Sequence, residues 1–145
     1  MKKRIIIISE WKSEKEFQQL KNNVERNISS AESFYYLLTV NQPKSIAELP
    51  QIEQVYYLSK KDFNLFGKIK TPKLTEVLST SKGVLIVAME KDNSLLKSVL
   101  KHSKLISVGM EQETLSKFDL SFSDSSLSEG KLFKQINNYL IKIQL

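Results

Sequence analysis

The chain has 145 residues, of which 41% are hydrophobic and 26% are charged. These values are typical of one folded domain, so we expect a single domain over residues 1–145 and neither disorder nor a fibrous repeat. With no cysteine and one histidine, the sequence excludes disulfide frameworks, thiolate metal sites, cysteine nucleophiles and sites that need two histidines. The net charge of +6 permits contact with nucleic acid or anionic lipid, but the acidic residues interspersed among the basic ones favour a plain solvated surface.

Two unbroken apolar runs predict strands that are buried on both faces. The first, Ile5–Ile8, is too short for the apolar region of an export signal, which needs about 7–15 residues. The second, Val84–Met89, is far shorter than the ~20 residues of a membrane span. Because β-branched runs without polar alternation are typical of central parallel strands, we place both segments in the middle of a sheet. No transmembrane segment is expected, and we predict a cytoplasmic location.

Helix and strand patterns alternate between and after these runs. Ser13 and Glu16 have the spacing of a capping box that opens a helix ending near Ser29. Phe34–Val40 and Gln54–Ser59 are aromatic and β-branched runs of strand length, and between them a short helical turn, Ser45–Leu49, carries a second box of Ser45 with Glu48. Thr71-Pro72 predicts a sharp helix start.

The C-terminal half continues the alternation. Asn93 or Asp92 is predicted to open a helix that His102 ends, Leu105–Met110 is a strand, and Asp119–Ser123 alternates as a half-exposed edge strand does. A box of Ser126 with Glu129 precedes a final amphipathic helix that extends to Ile143. The whole pattern predicts an α/β fold: a three-layer αβα domain with a mostly parallel, five- to six-stranded sheet, similar to Rossmann or flavodoxin folds.

In such a sheet, ligands bind in loops beyond the carboxyl ends of the strands. With four glycines, at positions 67, 83, 109 and 130, the sequence contains neither a Gly-x-Gly-x-x-Gly turn nor a Walker lysine loop, so the familiar nucleotide sites are not expected. The sequence indicates no particular cofactor, no metal site and no catalytic residue. The predicted ligand-binding residues are the polar and aromatic side chains after the strands and in the lysine-rich loop: Ser9, Trp11, Asp62, Lys68, Asp92 and Asn93.

The segment Lys60–Lys73, which we call the lysine segment, contains five lysines and two phenylalanines. Lysines interleaved with aromatic rings can neutralise phosphates and stack on bases, so nucleic-acid contact is one interpretation of this pattern. The other, which we favour, follows from the spacing of three between Phe63 and Phe66. That spacing suggests that both rings tuck beneath the loop and anchor it.

Several short stretches together resemble a known family. They are Ser59–Phe63, Phe66–Pro72, Val84–Val87, Leu100–Lys104, Val108-Gly109, Asp119-Leu120 and Tyr139-Leu140. Over nearly the whole chain, and most clearly from Ser59 onward, they resemble an uncharacterised Bacteroidetes family of short α/β proteins, a domain of unknown function. Members carry a Lys-Val-Gly strand where this chain has Ser107-Val108-Gly109. The resemblance implies a Rossmann-like fold and a bacterial cytoplasmic setting, and it carries no activity.

Two functions of different classes follow. The one we favour is a non-catalytic module that binds a small ligand or a macromolecule through the strand ends and the lysine segment, with an anionic ligand or a protein as the partner and nucleic acid as the less favoured one. The alternative is a small enzyme acting on a sugar-nucleotide or phosphorylated substrate, in which carboxylates such as Asp62 and Asp92 hold a metal ion. The sequence leaves the strand order and the oligomeric state open.

Overall fold

The computed structural model describes residues 3–29, 31–79, 83–89, 93–110, 118–122 and 131–142. The strands are β1 (Lys3–Glu10), β2 (Ala31–Thr39), β3 (Val55–Leu58), β4 (Gly83–Val87), β5 (Ile106–Met110) and β6 (Leu120–Phe122). The helices are α1 (Glu14–Asn27), α2 (Pro72–Ser79), α3 (Ser94–His102) and α4 (Lys131–Lys142). Two short 3₁₀-helices, Pro43–Glu48 and Lys60–Asp62, lie on either side of β3.

The six strands form one sheet in the order β3-β2-β1-β4-β5-β6, and every neighbouring pair is parallel. This confirms the α/β prediction, and the order is that of Rossmann folds rather than of flavodoxin. As expected, β1 and β4 lie at the centre, where Ile5–Ile8 are fully buried. The chain reverses its direction of travel across the sheet between these two strands, which makes their carboxyl ends the switch point.

Helices cover both faces of the sheet, as two neighbouring tyrosines of β2 show. The ring of Tyr36 packs edge-on against Phe17 of α1, whereas the ring of Tyr35 lies beneath the ammonium group of Lys73 in α2. Successive side chains of a strand point to opposite faces. The helix pairs α1–α4 and α2–α3 are in contact and form the two outer layers.

Local capping chemistry sets most of the helix starts. The Ser13 hydroxyl accepts a hydrogen bond from the Glu16 amide, at 3.1 Å, and opens α1 as predicted. The predicted box of Ser45 with Glu48 is wrong. The 3₁₀-helix begins earlier, at Pro43, which is preorganised for a first helical position, and Ser45 donates its hydroxyl proton to the Gln42 carbonyl, at 2.7 Å. The box of Ser126 with Glu129 and residue Ile143 lie outside the described residues.

Candidate functional site

The switch point between β1 and β4 is joined by Ser9. Its hydroxyl donates to the Ala88 carbonyl at 2.9 Å, one residue beyond the end of β4. The Ala88 amide in turn donates to the Ile8 carbonyl at 2.9 Å. Two hydrogen bonds therefore continue the contact between the central strands up to the edge of the sheet, and Ser9 lies at the position where ligands of this fold class bind.

Trp11 belongs to an aromatic cluster next to that position. Its ring lies edge-on to Tyr57 of β3, with centroids 5.4 Å apart, and at a tilt to Phe17 of α1, 6.3 Å away. Its main-chain amide donates to the Thr39 carbonyl at 3.0 Å. Because edge-on contacts of this kind are favourable, the half-buried indole joins the end of β1 to both α1 and β3.

Asp62 is a buried carboxylate, 7% exposed, at the carboxyl end of β3. It accepts hydrogen bonds from the Tyr56 hydroxyl, from the Thr71 hydroxyl at 2.5 Å and from the Ser59 amide at 2.9 Å. Burial and the hydrogen bond to Asp62 raise the pKa of Tyr56 to about 12. A carboxylate with three donors is well compensated for its lost hydration, so Asp62 joins β3 to the start of α2 and fixes the base of the lysine segment.

Residues Phe63–Ile69 form a small hairpin on that base, which we call the hairpin. Phe63 and Ile69 form an antiparallel bridge, and both pack against the core. The Lys70 amide donates to the Asp62 carbonyl at 2.7 Å. The hairpin is therefore an ordered structure with an apolar base, not a loose connection.

The tip of the hairpin is a hydrogen-bonded turn. The Gly67 amide donates to the Asn64 carbonyl at 3.0 Å, and the Asn64 side chain accepts from the amides of Phe66 and Lys68, at 2.9 and 3.0 Å. Gly67 has a φ of 75°, a conformation that glycine adopts at little cost. From outside the hairpin, the imidazole Nε2 of His102 donates to the Gly67 carbonyl at 2.8 Å. The tip is held in one conformation by both its own main chain and α3.

Leu65 and Phe66 are the central residues of this turn and point into solvent. Leu65 is 101% exposed and Phe66 is 83% exposed. The expectation that Phe63 and Phe66 both tuck beneath the loop is therefore wrong for Phe66. A spacing of three brings side chains together on a helix but not across a β-turn, whose central side chains face outward.

Basic side chains flank this apolar tip on both sides in the sequence. Lys60, Lys61, Lys68 and Lys70 are exposed, and Lys73 is exposed with its ammonium group 5.6 Å from the centre of the Tyr35 ring. The lysine segment contains one acidic residue, Asp62, which is buried. The exposed charge of the segment is thus uniformly positive.

The six predicted ligand-binding residues do not all meet. Asn93 caps α3, accepting from the Leu96 amide at 2.7 Å, while Lys68 lies in the hairpin that contacts His102 at the other end of the same helix. A helix of nine residues separates its ends by about 13 Å. Asp92 lies outside the described residues. Ser9 is the penultimate residue of β1, Trp11 directly follows this strand, and Asn93 lies between β4 and α3 in the chain. Their role in ligand binding stays a prediction.

The enzyme hypothesis requires carboxylates that are free to hold a metal ion. In the part of the chain that the structure describes, no three His, Asp or Glu side chains are grouped as a metal ion requires. Asp62 already accepts from three donors of its own chain. The described region of the site therefore displays exposed lysines and an apolar tip rather than a set of free carboxylates.

Sequence reasoning missed three residues that shape this site. Tyr56 and Thr71 bind the Asp62 carboxylate, and His102 reaches the tip across 35 positions of sequence. No sequence motif indicates these contacts, of which the one made by His102 is long-range. The exposure of Leu65 could have been predicted from the sequence. Asn and Gly, here Asn64 and Gly67, are common at the first and last positions of a tight turn, and the residues between them face outward.

The chain matches the model of a known protein family. The model of a family of unknown function, DUF6913, covers residues 2–143. Searches of curated proteins and of solved structures found no match. Among the described residues, no helix has the length and apolar character needed to cross a membrane.

Proposed function

We propose that this chain, which belongs to the DUF6913 family of unknown function, is a non-catalytic binding module that docks on an anionic membrane surface through the lysine segment. The observation that carries the proposal is the tip of the hairpin. Leu65 and Phe66, two adjacent large apolar side chains, are 101% and 83% exposed. Exposed apolar groups ringed by polar residues mark interaction sites.

The energetics suit a lipid interface. Burying a Leu or Phe side chain is worth roughly 1.5–3 kcal/mol, so insertion of the two to half their depth contributes about 1.5–3 kcal/mol in total. A lysine close to an anionic bilayer adds about 1 kcal/mol. Several of the five lysines in the segment acting with the tip would give reversible peripheral binding.

The hairpin is also preorganised for this contact. The Asp62 carboxylate fixes its base and His102 holds its tip, so docking orders little additional main chain, and the entropic cost of binding stays small. Outward apolar side chains next to lysines suit a lipid interface, where apolar groups enter the boundary of headgroups and acyl chains and the charges attract anionic lipids.

The same proposal places the protein in the bacterial cytoplasm. A bacterial cytoplasm, of the Bacteroidetes according to the resemblance, offers an anionic inner membrane leaflet. Ser9, Trp11 and Asn93 remain proposed contacts for a small ligand at the strand ends. Docking through the hairpin leaves that edge of the sheet accessible, because the tip contacts the opposite end of α3.

Vesicle sedimentation tests the proposal. The purified chain is mixed with vesicles of phosphatidylcholine alone, or with about 30% phosphatidylglycerol to supply surface charge. The double variant Leu65→Ser/Phe66→Ser should lower affinity for the anionic vesicles at least tenfold, as a loss of about 1.4 kcal/mol or more requires. The matched control is Ile141→Ser, which removes an apolar side chain 61% exposed on α4 and should leave the affinity unchanged.

The charge contribution has its own pair of variants. Lys68→Gln/Lys70→Gln should weaken vesicle binding and flatten its salt dependence, whereas Lys12→Gln/Lys15→Gln, with the same change of net charge on exposed residues elsewhere, should not. Equal binding to neutral and anionic vesicles, or an unaffected tip variant, contradicts the proposal. Binding to a single-stranded oligonucleotide with a log–log salt slope of about −0.7 per phosphate, without vesicle binding, would identify a nucleic-acid module instead.

A further inference from the structure

A second feature, separate from the hairpin, is the outer edge of β3, which is an edge strand of the sheet. The Gln54 carbonyl accepts a hydrogen bond from the amide of Tyr36 in β2, at 2.9 Å, and the Leu58 carbonyl accepts from the amide of Val40, one residue after β2, at 2.7 Å. Since main-chain groups alternate in direction along a strand, those of Val55 and Tyr57 face away from β2. This side of β3 is thus presented to the outside of the sheet.

Part of that edge lacks hydrogen-bond partners. The Val55 amide donates to the Ile52 carbonyl at 3.3 Å, and the Ser59 amide donates to the Asp62 carboxylate at 2.9 Å. Between them, the Val55 carbonyl and the amide and carbonyl of Tyr57 have no partner among the described residues. The strand sequence, Val-Tyr-Tyr-Leu, contains no charge and no proline, which are common means of blocking a sheet edge.

A cleft of about 500 Å³ runs beside this edge, a volume within the range of roughly 300–1,000 Å³ that ligand sites occupy. One wall is apolar and comes from the 3₁₀-helix Pro43–Glu48, whose Pro43, Ile46 and Ala47 line it. The edge strand contributes Val55, Tyr56 and Tyr57, and the exposed Lys61 and the buried, hydrogen-bonded Asp62 also line the cleft.

We infer that this cleft binds an extended peptide of a partner protein, which pairs with β3 as an added strand. The Val55 carbonyl and the amide and carbonyl of Tyr57, unpaired among the described residues, are spaced as the main-chain groups of a strand are. An extended peptide presents complementary main-chain groups at the same spacing and can therefore pair with them. Alternate apolar side chains of the peptide pack against the wall of the 3₁₀-helix, and an acidic side chain or a terminal carboxylate pairs with Lys61. Because β3 has four residues, the paired stretch is three to four residues long.

Selection from a displayed library of random heptapeptides tests this inference, followed by fluorescence anisotropy of the best peptide with a fluorescein label. Ala47→Arg, which fills the cleft from an exposed helical position, should weaken binding at least tenfold while circular dichroism and Trp11 fluorescence stay unchanged. Lys61→Gln should weaken an acidic peptide about threefold to tenfold, whereas the control Lys60→Gln, at a residue outside the cleft lining, should have no effect.

Hydrogen exchange identifies the paired edge independently of side chains. The Tyr57 amide should exchange at least tenfold more slowly when the peptide is bound. The inference is overturned if no selected peptide distinguishes the original chain from Ala47→Arg, or if bound peptide leaves exchange at Tyr57 unchanged. It is also overturned if sedimentation velocity shows a dimer that Ala47→Arg dissociates, because the edge then takes a second copy of the chain.

Discussion

Replacement of Asp62 tests how the lysine segment is held in place. One oxygen of the carboxylate accepts from the hydroxyls of Tyr56 and Thr71, and the other accepts from the Ser59 amide at 2.9 Å. Asp62→Ala removes all three interactions and leaves three donors in a region where the carboxylate is 7% exposed. Asp62→Asn keeps an acceptor for the two hydroxyls but turns an amide donor towards the Ser59 amide, which is itself a donor.

The two variants should therefore lower the free energy of unfolding by different amounts. A net hydrogen bond to a charged group is worth about 1.5–3 kcal/mol, and leaving a buried donor unpaired costs about 1–3 kcal/mol. Because the carboxylate also sheds its desolvation penalty when it is removed, the three contributions do not add fully. We expect Asp62→Ala to lower the free energy of unfolding by about 3–5 kcal/mol and Asp62→Asn by about 1–3 kcal/mol.

Urea unfolding, followed by Trp11 fluorescence and by circular dichroism, measures both values. Glu53→Gln, at an exposed acidic residue of the preceding turn, is the control and should change the free energy by less than about 0.5 kcal/mol. If Asp62→Ala costs less than about 1 kcal/mol, or if the alanine and asparagine variants cost the same, the hydrogen-bond account of this carboxylate is refuted.

Three further predictions concern pH, the core and the hairpin. The pKa of Tyr56 is raised from 10.0 to about 12 in the folded chain, so the unfolded state loses this proton first, and the free energy of unfolding should fall as pH rises from 10 to 12; Tyr56→Phe should flatten that decline in an alkaline titration. Ile7→Ala and Ile86→Ala, at fully buried positions, should each cost roughly 2–5 kcal/mol in urea unfolding, and losses below about 1 kcal/mol would misplace the core. Phe66→Ala should change stability by less than about 0.5 kcal/mol because its ring is exposed, whereas Phe63→Ala should cost about 1–3 kcal/mol; the reverse order in thermal denaturation would contradict the observed hairpin.

Several features could be predicted because they depend on short stretches of chain. Ser13 and Asn93 are caps as expected, since a cap needs an oxygen and an amide two or three residues apart. The central places of β1 and β4 follow from their apolar runs, which are stable in a sheet when both faces are covered. The location of Ser9 and Trp11 at the carboxyl end of β1 follows from the same alternation of strands and helices.

Other features depend on contacts between distant residues. Phe63 and Phe66 share a residue type and similar charged neighbours, yet Phe63 packs against the core and Phe66 faces solvent. They differ because Phe66 lies in the turn that the Asn64 side chain closes by hydrogen bonds. His102, which is 35 residues after Gly67 in the sequence, also holds this turn through the Gly67 carbonyl. A propensity averaged over a window cannot contain that contact.

The amino-acid sequence by itself determined the elements of this protein, the burial of its two central strands and the positive charge of the lysine segment. Each of these follows from the periodicity, the capping chemistry or the composition of a few neighbouring residues. The tertiary structure decided the strand order, the exposure of Leu65 and Phe66 and the open edge of β3. These depend on which strands pair and on where Asp62 and His102 find their partners, and such pairings are selected by the free energy of the whole fold rather than by any local segment.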